Sequence, residues 1–116
     1  MAYGFIYIAV NETMPGLVKI GQTTIAPSER VRQLSQATGV PKPFELYSAY
    51  EVESPKESEA EVHKYLAECR CNRTREFFEI SPIEAHSILE SVLGVVNFMP
   101  TVLFSYDQWK AKQNEN

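Results

Sequence analysis

Two short apolar stretches near the start of the chain, residues 4–8 and 17–21, limit most strongly what the chain can fold into. Alternation along the first stretch, continued to residue 10, makes one face of a strand aliphatic and gives the other a phenol. The aliphatic face holds Ile6, Ile8 and Val10, and the other face holds Phe5, Tyr7 and Ala9. Residues 11–16 are polar and turn-forming, which predicts an antiparallel hairpin. Tyr7 and Lys19 would then project near one another, and a phenol beside an ammonium indicates a phosphate site.

The rest of the chain predicts three helices and two further strands. In chain order they are a helix over 28–38, a strand over 44–52, a helix over 55–69, a strand over 76–80 and a helix over 82–93. Pro27 suits the first turn of the first of these helices, because its missing N–H has no partner there. The last two helices each begin with a serine, a proline and, three residues after the serine, a capping-box glutamate. Gly39 is expected to end the first helix. The order β-β-α-β-α-β-α predicts an α+β domain with a small, mainly antiparallel sheet flanked by helices.

The chain is expected to form one domain with an extension. Residues 1–94 are assigned to the domain, since 116 residues suffice for a single hydrophobic core. Residues 95–116 mix apolar and aromatic side chains without a clear period. This extension either packs on the domain or mediates self-association into a homo-oligomer.

Composition narrows the class of protein. The chain is 44% hydrophobic and 22% charged, which is typical of a folded globular protein. No apolar run has the length of a membrane span and no signal-peptide pattern occurs, so we expect a cytoplasmic protein without a membrane partner. Cys69 and Cys71 lie too close together for a disulfide framework and match no standard zinc spacing, which favours free thiols. No nucleotide-binding glycine motif is present, so no small-molecule cofactor is expected.

The distribution of charge is more informative than its total. A net charge of −4 argues against a general nucleic-acid coat protein. Basic residues nevertheless concentrate in residues 1–42 and 62–75, on either side of an acidic block at 43–61. This pattern permits a small basic cleft beside a carboxylate. The side chains expected to hold nucleic-acid phosphates are Lys19, Arg30, Arg32, Lys64, Arg70, Arg73 and Arg75.

The helix over 55–69 carries two candidate functional side chains on its apolar side. Helical spacing aligns Glu59 with Val62, His63 and Leu66. Such a carboxylate would hold Mg²⁺ while water and a substrate phosphate complete the coordination, or it would simply lie near the positive end of the helix dipole. His63 would pair with Glu59, contact a phosphate or donate a proton, or it would be a half-buried residue with one hydrogen bond.

Five segments, in this order and spacing, resemble the GIY-YIG endonuclease superfamily. They are Gly4–Ile8, Val18–Thr23, Arg30 with Leu34, Glu59–His63 and Arg75–Glu79. The closest likeness is to the phage-type DNA-binding branch, in which the second triad commonly reads Lys-Ile-Gly. The resemblance covers about residues 4–81 and implies a β-β-α-β-α core, DNA as the partner, and hydrolysis at a single Mg²⁺ or Mn²⁺.

The resemblance also implies roles for individual residues. Tyr7 matches the first-triad tyrosine, which lies by the scissile phosphate as a general base or a water-orienting group. Arg30 matches the arginine that stabilises phosphoryl charge, a role that suits its fork of donors. Glu59 matches the glutamate that holds the metal. Gly21 matches the triad glycine, where a side chain would crowd the sheet or the substrate.

Two positions depart from the family pattern. Lys19 replaces the second-triad tyrosine, and Leu34 replaces a histidine found in many of the nucleases. Lys19 would contact phosphate or lower the pKa of a neighbouring phenol. Leu34 cannot transfer a proton, and His63 would supply an acid–base group instead.

Three functions therefore remain open. The first is a metal-dependent endonuclease that hydrolyses DNA phosphodiester bonds. The second is a DNA-binding module on the same scaffold that does not cleave. The third is a protein-interaction domain, which the net acidity and the apolar residues of 95–116 suggest.

Overall fold

The computed structural model describes residues 3–37, 39–71 and 76–94. The strands are β1 (Gly4–Val10), β2 (Leu17–Thr23), β3 (Glu45–Val52) and β4 (Phe77–Glu79), and the α-helices are α1 (Pro27–Ser35), α2 (Pro55–Tyr65) and α3 (Pro82–Gly94). The predicted α+β fold class and element order are confirmed. Within these residues no helix combines the length and the apolar character needed to cross a bilayer. Residues 95–116 lie outside the described residues, so packing or self-association of this extension stays a prediction.

The four strands form one antiparallel sheet in the order β3-β1-β2-β4. The predicted hairpin of β1 and β2 lies at its centre, with Tyr7 opposite Gly21. The short strand β4 pairs only with residues 17–19 of β2, and the Glu76 carbonyl accepts one further hydrogen bond from Ile20 N at 3.1 Å. Among the described residues, the pairing on this edge of β2 ends there.

Each face of the sheet buries its own hydrophobic cluster, as the alternation in β1 predicted. The aliphatic side chains of residues 6, 8 and 10 pack with α2 and α3, whose buried side chains include Val62 and Leu89. On the opposite face, Tyr7 and Ala9 pack with Val31 of α1. The two helical layers therefore cover opposite faces of one sheet.

Two helices end earlier than the sequence predicted. Helix α1 stops at Ser35, because the Ser35 hydroxyl donates to Val31 O and accepts from Phe44 N, both at 2.8 Å. These bonds tie the last turn to the chain before β3. Helix α2 stops at Tyr65, and a 3₁₀ turn over Ala67–Cys69 leads to a β-bridge between residue 70 and Phe78. Cys69 and Cys71 are free thiols, as predicted.

The two predicted capping boxes differ in the structure. At the start of α3, the Ser81 hydroxyl accepts a hydrogen bond from Glu84 N and donates to its carboxylate, both at 3.2 Å. At the start of α2, the predicted Ser54 cap is wrong, since its side chain makes no cap hydrogen bond within the described residues. Pro55 instead packs over Gly4, where a Cβ would lie 2.5 Å from the proline Cγ. The missing side chain of Gly4 thus lets α2 start close against β1.

Candidate active site

Five polar side chains from five segments of the chain meet where the pairing along the outer edge of β2 ends. They are Tyr7 of β1, Lys19 of β2, Arg30 of α1, Glu59 of α2 and Glu76, which precedes β4. Because β4 is short, the backbone N–H of Gln22 is available to the Glu59 carboxylate, which accepts a hydrogen bond from it. Helices on both faces of the sheet therefore contribute to one site.

Gly21 allows the phenol of Tyr7 to reach this edge. A Cβ at position 21 would lie 2.6 Å from Tyr7 Oη and 2.8 Å from its Cζ, so the ring end lies directly over the bare Cα. The same Cβ would be 3.0 Å from Glu76 Oε2. The group crowded by a side chain at this glycine is therefore the phenol itself.

The phenol of Tyr7 is held in its protonated form. Burial raises its pKa to about 12, and the negative charges of Glu76 and, more weakly, Glu59 act in the same direction. Arg30 opposes this shift through its charge and by donating a hydrogen bond to the phenol. The expectation that Lys19 lowers the pKa of a neighbouring phenol is therefore wrong for Tyr7, because burial dominates its pKa and Arg30 is the cation that opposes the shift.

Lys19 is engaged by its neighbours on β4. Its Nζ lies 3.5 Å from Glu76 Oε2 and 5.2 Å from the centroid of the Phe77 ring. The Lys19 side chain is only 15% exposed, against 35% for Glu76. An ammonium so far removed from water needs such an anionic partner.

The carboxyl groups of Glu59 and Glu76 interact directly. Burial, the charge of Glu76 and a hydrogen bond between the two side chains raise the pKa of Glu59 to about 7. The Gln22 N–H and the charge of Lys19 act in the opposite direction. Glu59 therefore retains its proton close to neutral pH, where an isolated glutamate is ionised.

This donor set suits a hard divalent cation. Mg²⁺ commonly takes one or two carboxylates and completes its shell with water and substrate phosphate, and Glu59 and Glu76 present carboxyl oxygens of that kind. Within the described ranges, no group of three or more His, Cys, Asp or Glu side chains suitable for a metal ion occurs. A cation bound by the pair would therefore depend on water or on a ligand for its remaining positions.

Two other predicted positions lie in the packed layers. The His63 ring donates from Nε2 to the Ile20 carbonyl at 3.0 Å and lies 5.0 Å from the Phe78 ring centroid. This is the half-buried arrangement with one hydrogen bond that the sequence left open. Leu34 is half-buried against the cluster that contains Tyr7, so an apolar contact occupies the position of the family histidine.

Of the predicted phosphate-binding residues, the structure brings Lys19 and Arg30 into the site. Arg32 instead forms an exposed pair with Glu29, with 3.0 Å between Nε and Oε2. The Arg70 guanidinium lies 5.9 Å from the centroid of the Phe78 ring, and Lys64 is exposed on α2. Arg73 and Arg75 lie outside the described residues. Phosphate contacts by these remaining side chains stay predictions.

The sequence did not identify Glu76 as a site residue. Its segment was interpreted only as part of a short strand and as a piece of the family resemblance. The sequence feature that could have indicated Glu76 is its position next to Phe77, which pairs with Lys19 in the structure. That signal becomes visible only when the partner strand of β4 is known.

One comparison with known proteins identifies the family. A family model, the T5orf172 domain, matches residues 4–93. No curated protein and no solved structure matches the chain. The domain is phage-associated and occurs in the context of HNH and GIY-YIG-like nucleases, which agrees with the coarser part of the resemblance. Since the match spans most of the chain, the protein belongs to the T5orf172 domain family.

Proposed function

We propose that this domain is a GIY-YIG-like endonuclease that hydrolyses DNA phosphodiester bonds with a single Mg²⁺ or Mn²⁺. The observation that carries the proposal is the convergence of Tyr7, Arg30 and Glu59 at one edge of the sheet. These residues come from three different elements, and each occupies the position that the resemblance gives to a functional residue. The nuclease and DNA-binding context of the T5orf172 family supports the same class of function.

Arg30 and Tyr7 would act on the phosphate and the attacking water. A guanidinium next to the phenol offers a fork of donors to phosphoryl oxygens and would stabilise charge that develops there. With a pKa of about 12, the phenol is a hydrogen-bond donor at neutral pH. We therefore assign Tyr7 the water-orienting role in preference to that of a general base.

Glu59, together with Glu76, would hold the divalent cation. When bound, the cation supplies Lewis-acid stabilisation of phosphoryl charge. The chain's own contribution is to keep the two carboxyl groups within hydrogen-bond contact beside Arg30 and Tyr7. The proton on Glu59 has to leave before a cation binds, so binding is expected to strengthen as pH rises through 7.

A DNA-binding module that does not cleave is the second candidate. Lys19 is engaged by Glu76, and Leu34 packs in a hydrophobic cluster, at the two positions where the family nucleases carry a tyrosine and a histidine. Proton transfer by His63 stays a prediction. In the structure, its Nε2–H donates a hydrogen bond to the Ile20 carbonyl. Lys19 and Arg30, the cations at this edge, would still hold phosphate. Such binding weakens steeply with salt.

The experiment is a cleavage assay on single-stranded, duplex and branched DNA with Mg²⁺, Mn²⁺ or EDTA. We expect metal-dependent cleavage that E59A abolishes and Y7F strongly reduces. E61A removes an exposed carboxylate from the same helix and serves as the matched control. Cleavage that persists unchanged in both E59A and Y7F would refute the assignment. Salt-sensitive binding without cleavage would favour the second candidate.

A further inference from the structure

Glu76 lies at the centre of the side-chain cluster. Its carbonyl accepts a hydrogen bond from Ile20 N at 3.1 Å, which ties its backbone to β2 between Lys19 and Gly21. Its Oε2 is 3.5 Å from Lys19 Nζ and lies over Gly21, where the phenol of Tyr7 also lies. The carboxylate is thus fixed from its own backbone and faces the ammonium of Lys19.

Lys19 is pre-organised by this contact. A lysine side chain is long and flexible, and a solvated one loses rotamer freedom when it binds a phosphate. Here the ion pair with Glu76 and the nearby Phe77 ring restrict the side chain before any ligand arrives. Ordering a group in advance lowers the cost of binding. The restricted ammonium occupies the position that the resemblance gives to the second-triad tyrosine.

We propose that Glu76 is a positioning residue that holds Lys19 for contact with a DNA phosphate at the edge of β2. The inference rests on the proposed function, because it takes DNA as the ligand. A carboxylate repels phosphate, so a favourable effect of Glu76 on DNA binding has to act through a neighbouring side chain, and the ion pair makes Lys19 that neighbour. If Glu76 positions Lys19, removal of its charge should weaken DNA binding. If it acts only by charge repulsion, the same removal should strengthen binding.

The test is a double-mutant cycle of E76Q and K19M, with the affinity for a fluorescent DNA duplex measured by anisotropy in EDTA. The chelator stops cleavage and removes any effect of Glu76 on metal binding. In the protein that retains Lys19, E76Q is expected to weaken binding about three- to tenfold, although it removes a negative charge. In the K19M background, the same substitution is expected to leave binding unchanged or to tighten it.

The matched control is E79Q, which removes an exposed carboxylate from β4. Its effect on affinity is expected to be small and the same in both backgrounds. Tighter binding by E76Q in both backgrounds would overturn the positioning role and leave the proposed DNA-binding function intact. Failure of the unmodified protein to bind DNA would overturn the proposed function and, with it, the phosphate contact of Lys19.

A second measurement requires no DNA and isolates the positioning role. The two ε-methylene protons of Lys19 give separate NMR signals when the side chain holds one conformer, and they merge when it samples several. E76Q is expected to merge these signals, whereas E79Q leaves them separate. Separate signals that survive E76Q unchanged would overturn the positioning role whatever the outcome of the binding experiment.

Discussion

The raised pKa of Glu59 makes the stability of the fold depend on pH. Its folded-state pKa of about 7 lies above the ordinary value of 4.5. The folded protein therefore binds this proton more tightly than the unfolded chain does. The resulting stabilisation is full below pH 4.5 and is lost as pH rises through 7. Without screening, the shift would correspond to about 3 kcal/mol. Water around the half-buried carboxyl group reduces this to about 1–2 kcal/mol.

E59Q isolates this contribution, because glutamine is close in shape, stays neutral and still offers an oxygen to Gln22 N–H. Urea unfolding in EDTA gives the free energy of unfolding of both proteins from pH 4.5 to pH 8.5. We expect the two to agree at the acid end, and E59Q to be more stable by about 1–2 kcal/mol at the alkaline end. Every other titratable group is common to both proteins, so its effect cancels in the difference.

E61Q provides the control, since Glu61 is an exposed carboxylate on the same helix. Its difference from the unmodified protein is expected to stay within about 0.5 kcal/mol across the range. A difference between E59Q and the unmodified protein that does not vary with pH would refute the reasoning. It would mean that the fold does not raise the pKa of Glu59.

Three further predictions concern the same edge and the helix caps. Mg²⁺ at about ten times its dissociation constant is expected to raise the free energy of unfolding of the unmodified protein at pH 8 by about 1.4 kcal/mol, and that of E59Q by much less. Equal stabilisation of both would contradict the metal site. G21A is expected to lower the free energy of unfolding by about 1–3 kcal/mol, because its Cβ would lie 2.6 Å from Tyr7 Oη. Y7F in the G21A background should recover part of this loss. An unchanged urea midpoint for G21A would contradict this packing. S81A is expected to lower the free energy of unfolding by about 1 kcal/mol and S54A by less than half of that. Ser81 accepts a capping hydrogen bond from Glu84 N, whereas the Ser54 side chain makes no cap bond within the described residues. Equal losses would contradict this difference.

The start of each helix could be predicted from the sequence, whereas the end of two could not. All three α-helices begin at the prolines that the sequence indicated, because a proline at the first position needs no N–H partner. The ends of α1 and α2 depend on contacts with distant segments, such as the bond between Ser35 and Phe44 N. Local patterns do not contain that information.

The candidate site could be predicted only in part, because some of its contacts also depend on segments that are distant in sequence. Tyr7, Arg30 and Glu59 could be named because the resemblance supplied their positions, and alternation placed Tyr7 and Lys19 on one face. Glu76 could not be named, because its contact with Lys19 requires β4 to pair with β2 rather than with β3. The high pKa of the phenol was also missed, since it depends on burial under α1 and not on neighbours in sequence.

The site depends on two features of the backbone as much as on its side chains. If β4 paired farther along β2, the Gln22 N–H would join the sheet and the Glu59 carboxylate would lose its bond there. If position 21 carried a side chain, the phenol would be displaced from the same edge. A short edge strand and a glycine therefore let groups from both faces of one sheet meet. It follows that substitutions at Gly21, which carries no functional group, should disturb this site as strongly as the loss of one of its polar side chains.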